Sequence, residues 1–327
     1  RSGRPRTHVV FLNNLPSWTI LPVIHDLYDL NTVEPLRLTG WATVETFHTT
    51  RYQETTGRPW GDALRAYLAQ SQPDLVLTAR MQWEDPAELE QFLTATDRCR
   101  QNGTPVVAVW TDLVTTDQIA LAERMLAHVD WHTQIDRPVP PIGVRESRRY
   151  IPLWTPMDTR FFYQTMLKTI PASFVGEKMD RPERQRMLDA VHRADIPLYV
   201  SGGRGSAEAR LSTEQYVAIQ RSSQIGINVT SHPTAPQIKG RIFELLACGG
   251  LLLEWDNVAI QAYFEPDVDY VSYTHPDDLV DKLRYYLAHP ADRDRIACRG
   301  HATFLQRFTL WHYWDRLFTT IWGRTWR

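Results

Sequence analysis

Residues 228–250 read NVTSHPTAPQIKGRIFELLACGG and join the end of a strand, a proline-containing loop and the start of a helix. Helical spacing begins near Ile238, which places Lys239 and Arg241 in the first turn. Cations there oppose the positive end of the helix dipole, at a cost of roughly 0.3 to 1 kcal/mol each. A bound diphosphate would offset that cost, because helix-start N–H groups and adjacent cations together form an anion site. The stretch therefore predicts an anion-binding βα turn.

The same helix carries a carboxylate one turn deeper. Glu244 follows Arg241 by three residues, where it could accept two hydrogen bonds from ribose hydroxyls. The Gly249 and Gly250 pair is then expected to end the helix. The alternative is that Lys239, Arg241 and Glu244 form a solvated helical face with an i, i+3 ion pair.

Outward from this helix, short apolar runs alternate with segments of helical periodicity, the pattern of a parallel sheet covered by helices. A proline cluster at residues 137–143 predicts a linker between two such series. After it, Asp158 is the predicted N-cap of a helix running to Lys168. The predicted strands are 8–12, 42–47, 74–78, 105–110 and 129–134, then 173–175, 198–200, 225–229, 251–254 and 270–273. The fold class is therefore α/β, with two Rossmann-like domains.

Composition agrees with two domains and excludes several classes. A chain of 327 residues with 43% hydrophobic residues is long enough for two cores. The formal net charge of -2 gives no global basic field for nucleic acid. Three widely spaced cysteines argue against a disulfide framework or zinc site, which favours a cytoplasmic setting. We expect no membrane span, because no apolar run approaches the ~20 residues that one requires.

Residues 239–249 resemble the donor-binding signature of GT-B glycosyltransferases, and in particular that of the CgeB-like group related to glycosyltransferase families 1 and 4. The pattern is approximately K-x-R-x-F-E-x-x-A-x-G. Its named positions are matched here by Lys239, Arg241, Phe243, Glu244, Ala247 and Gly249. The resemblance implies two domains facing a central cleft, over residues 1–155 and 156–308, with a C-terminal helix at 309–327 returning to the first.

Further donor-binding residues follow from the same resemblance. The opening strand and loop of the donor domain are matched at Gly176 and Arg181, and a glycine-bearing loop after the next strand at Gly202 and Gly203. Asn228 and His232 precede the signature helix and are also assigned to the donor. For His232, packing within its loop is the competing interpretation.

The catalytic residues implied are Lys239 and Arg241, which would stabilise the departing diphosphate. Many retaining GT-B enzymes have a glutamate eight positions before the one matched by Glu244, but this chain has Pro236 there. An inverting reaction would need a general base in the first domain. Asp112 follows a strand ending at Trp110 and is the predicted base, since ligands bind at the carboxyl ends of parallel strands. The alternative is that Asp112 caps the following turn.

Asn13 and Asn14 end the first predicted strand and are assigned to the acceptor cleft, with a turn role as the alternative. The residues Asp267-Val268-Asp269 have a D-x-D form that other glycosyltransferases use for metal, but they precede a strand in the donor domain. We therefore expect no metal and no other cofactor.

The resemblance implies sugar transfer from a UDP- or GDP-type nucleotide donor to an acceptor that is a glycan, a protein, a small molecule or modified DNA. A non-catalytic sugar- or nucleotide-binding relative of the same fold is one alternative. A phage-type enzyme acting on modified DNA bases is another, and it is favoured only by a cluster of arginines. These are Arg137, Arg145, Arg148 and Arg149.

Overall fold

The computed structural model describes residues 7–13, 32–79, 86–110, 116–135, 149–176, 182–201, 211–229, 237–323 and 325. The chain divides into two compact units. Unit 1 comprises Arg1–Trp154 with Tyr313–Arg327, and unit 2 comprises Thr155–His312. Each unit is built around a five-stranded sheet in which every strand pair is parallel.

The sheet of unit 1 confirms the first five predicted strands. They are β1 (Thr7–Asn13), β2 (Ala42–His48), β3 (Leu75–Ala79), β4 (Val106–Trp110) and β5 (Trp131–Gln134), in the order β2-β1-β3-β4-β5. All five residues of β4 are buried, because a parallel strand inside an α/β layer is covered on both faces. That double burial is why β4 reads as a continuous apolar run in the sequence.

Helices cover this sheet and complete its core. They are α1 (Glu34–Thr39), α2 (Thr49–Thr56), α3 (Gly61–Ser71), α4 (Pro86–Gln101) and α5 (Thr116–Met125), followed by a 3-10 turn at Leu126–His128. On one face, Val10 and Leu12 of β1 pack in a buried cluster with Leu64 of α3 and Phe92 of α4.

Unit 2 has the same strand order about its own first strand. Its sheet consists of β6 (Ile170–Val175), β7 (Tyr199–Ser201), β8 (Ser223–Asn228), β9 (Leu251–Trp255) and β10 (Val271–Tyr273), in the order β10-β9-β8-β6-β7. The second five predicted strands are thereby confirmed. The helices are α6 (Pro182–Arg193), α7 (Thr213–Ser222), α8 (Gly240–Ala247), α9 (Pro276–Ala288) and α10 (Pro290–Arg307), with a 3-10 turn at Val258–Ala262.

The last helix, α11 (Leu310–Trp322), returns to unit 1 as predicted. Trp314 is fully buried, and its ring meets that of Phe11 in β1 edge-on at 6.0 Å between centroids. Tyr313 makes a similar contact with Trp154, also at 6.0 Å. These aromatic contacts place Trp314 and Tyr313 in the core of unit 1. In the described parts of the chain, no helix is long and apolar enough to cross a membrane.

The helix predicted from Asp158 to Lys168 is wrong. The chain there makes a turn and is otherwise irregular. The buried carboxylate of Asp158 accepts the backbone N–H of Arg160 at 2.9 Å and also binds the Arg160 guanidinium. A short polar side chain that bonds two residues ahead stabilises a turn and competes with helix formation. Lys168 instead donates from Nζ to the backbone oxygens of Arg221 at 3.0 Å and Cys248 at 2.8 Å.

Candidate functional site

The strand order of unit 2 creates a switch point at β6. The chain passes from β6 to β7 on one side and then returns to β8 on the other. In open parallel sheets, ligands bind in the crevice beyond the carboxyl ends of the strands where the order reverses. Gly176 follows β6 and Asn228 ends β8, so two of the predicted donor residues lie at this switch point.

Arg241, in the first turn of α8, places its guanidinium directly at Gly176. A Cβ atom built on Gly176 would lie 2.7 Å from Nη2 and 2.8 Å from Nη1 of Arg241. Only a residue without a side chain permits so close an approach. The guanidinium carbon also lies 5.6 Å from the centroid of the Phe174 ring in β6, within cation–π range.

Among the residues that the structure describes, one side-chain acceptor contacts the guanidinium of Arg241. Nη1 donates to Oδ1 of Asn228 at 3.3 Å, and no described carboxylate forms an ion pair with the guanidinium. An arginine carries five N–H donors in a planar fork suited to phosphate oxygens. The side chain can therefore bind an anion while keeping its bond to Asn228.

Asn228 is fully buried, and both ends of its amide are engaged. Its Nδ2 donates to Oε2 of Glu254 at 2.7 Å, while Oδ1 accepts from Arg241. Its backbone oxygen accepts from the hydroxyl of Tyr273 at 2.7 Å. The amide thus connects a carboxylate to the guanidinium and does not open to solvent.

Sequence reasoning missed Glu254, which ends the apolar run of β9. Its carboxylate is completely buried and accepts hydrogen bonds from Asn228 and, at 3.4 Å, from Nδ2 of Asn257. Burial raises the pKa of Glu254 to about 8, against the opposing effects of these two amides and of Arg241. A lone glutamate near the carboxyl end of a buried strand was the available signal.

Glu244 is buried, with 3% of its surface exposed, so the interpretation of this helix as a solvated face is wrong for the carboxylate. Its Oε2 accepts from the hydroxyl of Tyr216 in α7, which in turn accepts from Nε2 of Gln220 at 3.1 Å. Burial raises the pKa of Glu244 to about 7, although the Tyr216 bond and Arg241 both favour the ionised form. Among the described residues, no hydrogen bond reaches the other oxygen, Oε1.

The start of α8 is built to receive negative charge. Lys239 is its N-cap residue, and its side chain makes no capping hydrogen bond. Its Nζ instead donates to Oε1 of Gln237 at 2.7 Å. The first turn of α8 contains no acidic residue, so the helix dipole is not compensated there. The helix then ends as predicted, with Gly249 in the left-handed region at φ 71°.

A second buried arginine, also missed from the sequence, lies beside the same aromatic ring. Arg184 is in the first turn of α6 and is 3% exposed. Its guanidinium carbon lies 5.4 Å from the Phe174 centroid, and Nη2 donates to the backbone oxygen of Val229 at 3.2 Å. Two guanidinium groups therefore surround Phe174 near the switch point.

Several predicted site residues lie outside the described parts of the chain. These are Asn14, Asp112, Arg181, Gly202, Gly203 and His232. Asn13 is the last residue of β1, and its side chain is likewise not described.

The D-x-D residues serve the local structure. Asp269 accepts from the hydroxyl of Thr303 at 2.8 Å and from the backbone N–H of Glu265 at 3.0 Å. Asp267 adopts a left-handed φ of 59° in the turn before β10. Within the described residues, no group of three or more histidine, cysteine, aspartate or glutamate side chains is arranged to hold a metal ion.

Comparisons with known proteins give one family match and a set of solved structures with a similar fold. Residues 181–319 match the family model described as glycosyl transferase-like. This range includes α8 with Lys239, Arg241 and Glu244. The match is to this broad family and not specifically to the CgeB-like group. A sequence search of curated proteins found no match.

Solved glycosyltransferase structures share the fold over nearly the full chain. HepE of Anabaena, determined with UDP and glucose, is 12% identical with a TM-score of 0.63, covering 98% of this chain and 100% of that one. A glycosyltransferase of Rickettsia africae is 10% identical with a TM-score of 0.64, covering 94% and 95%. Sucrose-phosphate synthase of Thermosynechococcus elongatus is 12% identical with a TM-score of 0.58, covering 93% and 95%. At such identities the likeness establishes the GT-B fold.

Proposed function

This chain has the GT-B fold and a glycosyl transferase-like domain at residues 181–319, and we propose that it transfers a sugar from a nucleotide diphosphate donor. The observation that carries the proposal is the guanidinium of Arg241, held at Gly176 on the switch point of the sheet without a carboxylate ion pair among the described residues. UDP is the preferred nucleotide, because HepE, which shares the fold, binds UDP and UDP-glucose.

Three residues at α8 are assigned to different parts of the donor. Arg241 binds diphosphate oxygens through its planar fork, while Lys239 at the helix start adds a second positive charge. Glu244 offers Oε1 to the ribose hydroxyls, with its other oxygen fixed by Tyr216. Catalysis follows from the same contacts, because charge on the departing diphosphate increases in the transition state and meets these preorganised cations.

These cations do the work that a metal ion does in other transferases, so we propose a reaction that requires no metal. Asn13, Asn14 and Asp112 remain predictions for the acceptor side, with Asp112 as the base if the reaction inverts the anomeric centre. The remaining predicted donor residues, Arg181, Gly202, Gly203 and His232, are proposed to complete the donor site.

A binding titration with UDP and GDP tests the donor assignment. Arg241→Ala should weaken UDP binding by roughly 10- to 150-fold, which corresponds to the loss of a charge-assisted bond worth about 1.5 to 3 kcal/mol. The matched control is Arg221→Ala, since Arg221 also lies over an aromatic ring, that of Tyr163 at 4.1 Å, but at the C-terminal end of α7.

Turnover separates an enzyme from a binding protein of the same fold. Wild-type protein should release UDP from UDP-glucose or a related UDP-sugar, and the Arg241→Ala variant should not. Tight UDP binding without any turnover would support the non-catalytic alternative. Equal UDP binding by wild type and Arg241→Ala would contradict the assigned site.

A further inference from the structure

A row of hydrogen bonds crosses three elements of unit 2 and ends at the proposed donor site. Glu254 of β9 accepts from Asn228 of β8 at 2.7 Å, and Asn228 accepts from Arg241 of α8 at 3.3 Å. The parallel register of β8 and β9 sets Asn228 directly opposite Glu254. The first contact is therefore dictated by strand pairing and does not depend on a flexible loop.

The chemistry of the three groups fixes which way the amide of Asn228 faces. A guanidinium only donates hydrogen bonds, so it requires the amide oxygen. The amide NH2 group must then face an acceptor, and in this buried setting Glu254 supplies one. Glu254 keeps an accepting oxygen whether its carboxyl group is ionised or protonated. Without that acceptor, the amide could turn its NH2 group towards the guanidinium and repel it.

Glu254 is itself held by a neighbouring amide that also bonds the segment before the second cation of the site. Asn257 donates from Nδ2 to Oε1 of Glu254 at 3.4 Å and to the backbone oxygen of Gln237 at 3.0 Å. The side chain of Gln237 accepts from Nζ of Lys239 at 2.7 Å. Asn257 therefore connects Glu254 to the segment that precedes α8, where the side chain of Gln237 contacts Lys239.

The amide between carboxylate and guanidinium has a second consequence. A glutamate in direct contact with Arg241 would neutralise the guanidinium and occupy the donors that phosphate needs. Asn228 transmits the orientation while taking one N–H of Arg241, so the cation remains available to an anion. An indirect contact through Asn228 therefore orients a ligand-binding arginine without occupying it, which a direct ion pair would not do.

We propose that Glu254 is a positioning residue for donor binding, which acts through Asn228 to hold the guanidinium of Arg241 at Gly176. The inference rests on the proposed function and adds to it a residue that contacts no ligand. It predicts that the size of the effect of Glu254 on nucleotide binding depends on whether Arg241 is present.

Glu254→Leu tests the proposal, because leucine fills similar space and removes the acceptor. UDP binding measured by calorimetry should weaken by about 10-fold, the size expected when a charge-assisted contact loses its alignment. Glu254→Gln retains an accepting oxygen and should bind within about threefold of wild type, given that neutral hydrogen bonds are weaker than charged ones. Asp269→Leu is the matched control, because Asp269 is another buried carboxylate of unit 2 but binds Thr303 and the backbone of Glu265.

A double-mutant cycle distinguishes positioning from a general loss of structure. In the Arg241→Ala background, Glu254→Leu should change UDP affinity no further, since the group being positioned is absent. If Glu254→Leu does not fold, as judged by its melting curve, Asn228→Ser breaks the same row at its centre and should give the same loss. A full additional loss in the Arg241→Ala background would overturn the proposal, as would wild-type affinity in a folded Glu254→Leu or Asn228→Ser variant.

The outcomes also separate this inference from the proposed function. If wild type binds UDP and Arg241→Ala does not, but Glu254→Leu binds normally, the donor site stands and the positioning role is wrong. If wild type binds neither UDP nor GDP, both the proposed function and the positioning role are overturned.

Discussion

Replacing Gly176 with alanine should separate ligand binding from folding stability. The new Cβ would lie 2.7, 2.8 and 2.9 Å from Nη2, Nη1 and Cζ of Arg241. Ordinary contacts between such atoms are near 3.5 Å, so the guanidinium must move by about 0.7 Å or more. The bond from Arg241 to Asn228 is already 3.3 Å long, and a shift of that size away from the amide would break it.

Gly176→Ala is expected to weaken UDP binding without lowering stability. UDP affinity should fall about 10-fold, or roughly 1.4 kcal/mol, because the cation remains but loses its alignment. Stability should stay level or rise by up to about 1 kcal/mol, because alanine restricts the unfolded chain more than glycine does. Gly176 is not among the residues in the left-handed region, so alanine introduces no backbone strain there. The displaced atoms lie at the end of a flexible side chain that can move at little cost.

The assay pairs UDP calorimetry with melting temperature for Gly176→Ala and a matched control. Gly61→Ala serves as the control, because its Cβ would also meet the end of a flexible side chain, Oε1 and Cδ of Gln91 in unit 1. The control should bind UDP normally. Wild-type UDP affinity in Gly176→Ala, at unchanged stability, would refute the role given to the contact between Gly176 and Arg241.

Other expectations follow from the same geometry. Tyr216→Phe removes the donor to Glu244 and should weaken uridine and UDP binding by similar factors of about 2 to 10 in calorimetry, since the loss concerns ribose; an effect on UDP alone would contradict this. Burial lowers the pKa of His132 to about 4, so the unfolded chain binds more protons than the folded chain between pH 6.5 and 4. The free energy of unfolding therefore decreases as the pH is lowered through this range. His132→Phe should therefore lose about 1.5 kcal/mol less than wild type between pH 6.5 and 5 in denaturant titrations, and an identical loss would exclude His132 as the cause. EDTA should leave sugar transfer unchanged, and activity lost with EDTA and restored by manganese would refute a metal-free reaction. If the product is inverted, Asp112→Asn should lower kcat by about 10²- to 10⁴-fold with UDP affinity retained, and a near-normal kcat would rule Asp112 out as the base.

The sheets of both units could be predicted because their signal is local. Parallel strands covered on both faces are largely apolar, and the residues VVAVW of β4 and LLLEW of β9 form such runs in the sequence. The signature helix could also be predicted, since the cations at its start and the glycine at its end lie within one short stretch, residues 239–249. Its start was placed near Ile238, and the helix begins at Gly240.

What the sequence could not show depends on contacts between distant elements. Glu254 acquires its role from the register that pairs it with Asn228, 26 residues away. Arg184 approaches Phe174 because α6 packs on the sheet, and the spacing of residues in the sequence does not predict this contact. The helix expected after Asp158 failed for the opposite reason, since a local side-chain bond to Arg160 outweighed the helical pattern.

Gly176 and Glu254 constrain the guanidinium of Arg241 in different ways. Combining substitutions at the two positions distinguishes the contribution of its orientation to UDP binding from that of its charge. Gly176 leaves the space that the group occupies, and Glu254 fixes the amide that holds it. Both Gly176→Ala and Glu254→Leu keep the positive charge, so each should bind UDP better than Arg241→Ala does. The double variant should fall no lower than Arg241→Ala, because no further loss is possible once the group is free. The affinity by which that double variant exceeds Arg241→Ala is then due to an unaligned charge acting over distance, and this excess should decrease as salt shortens the Debye length to about 8 Å and below.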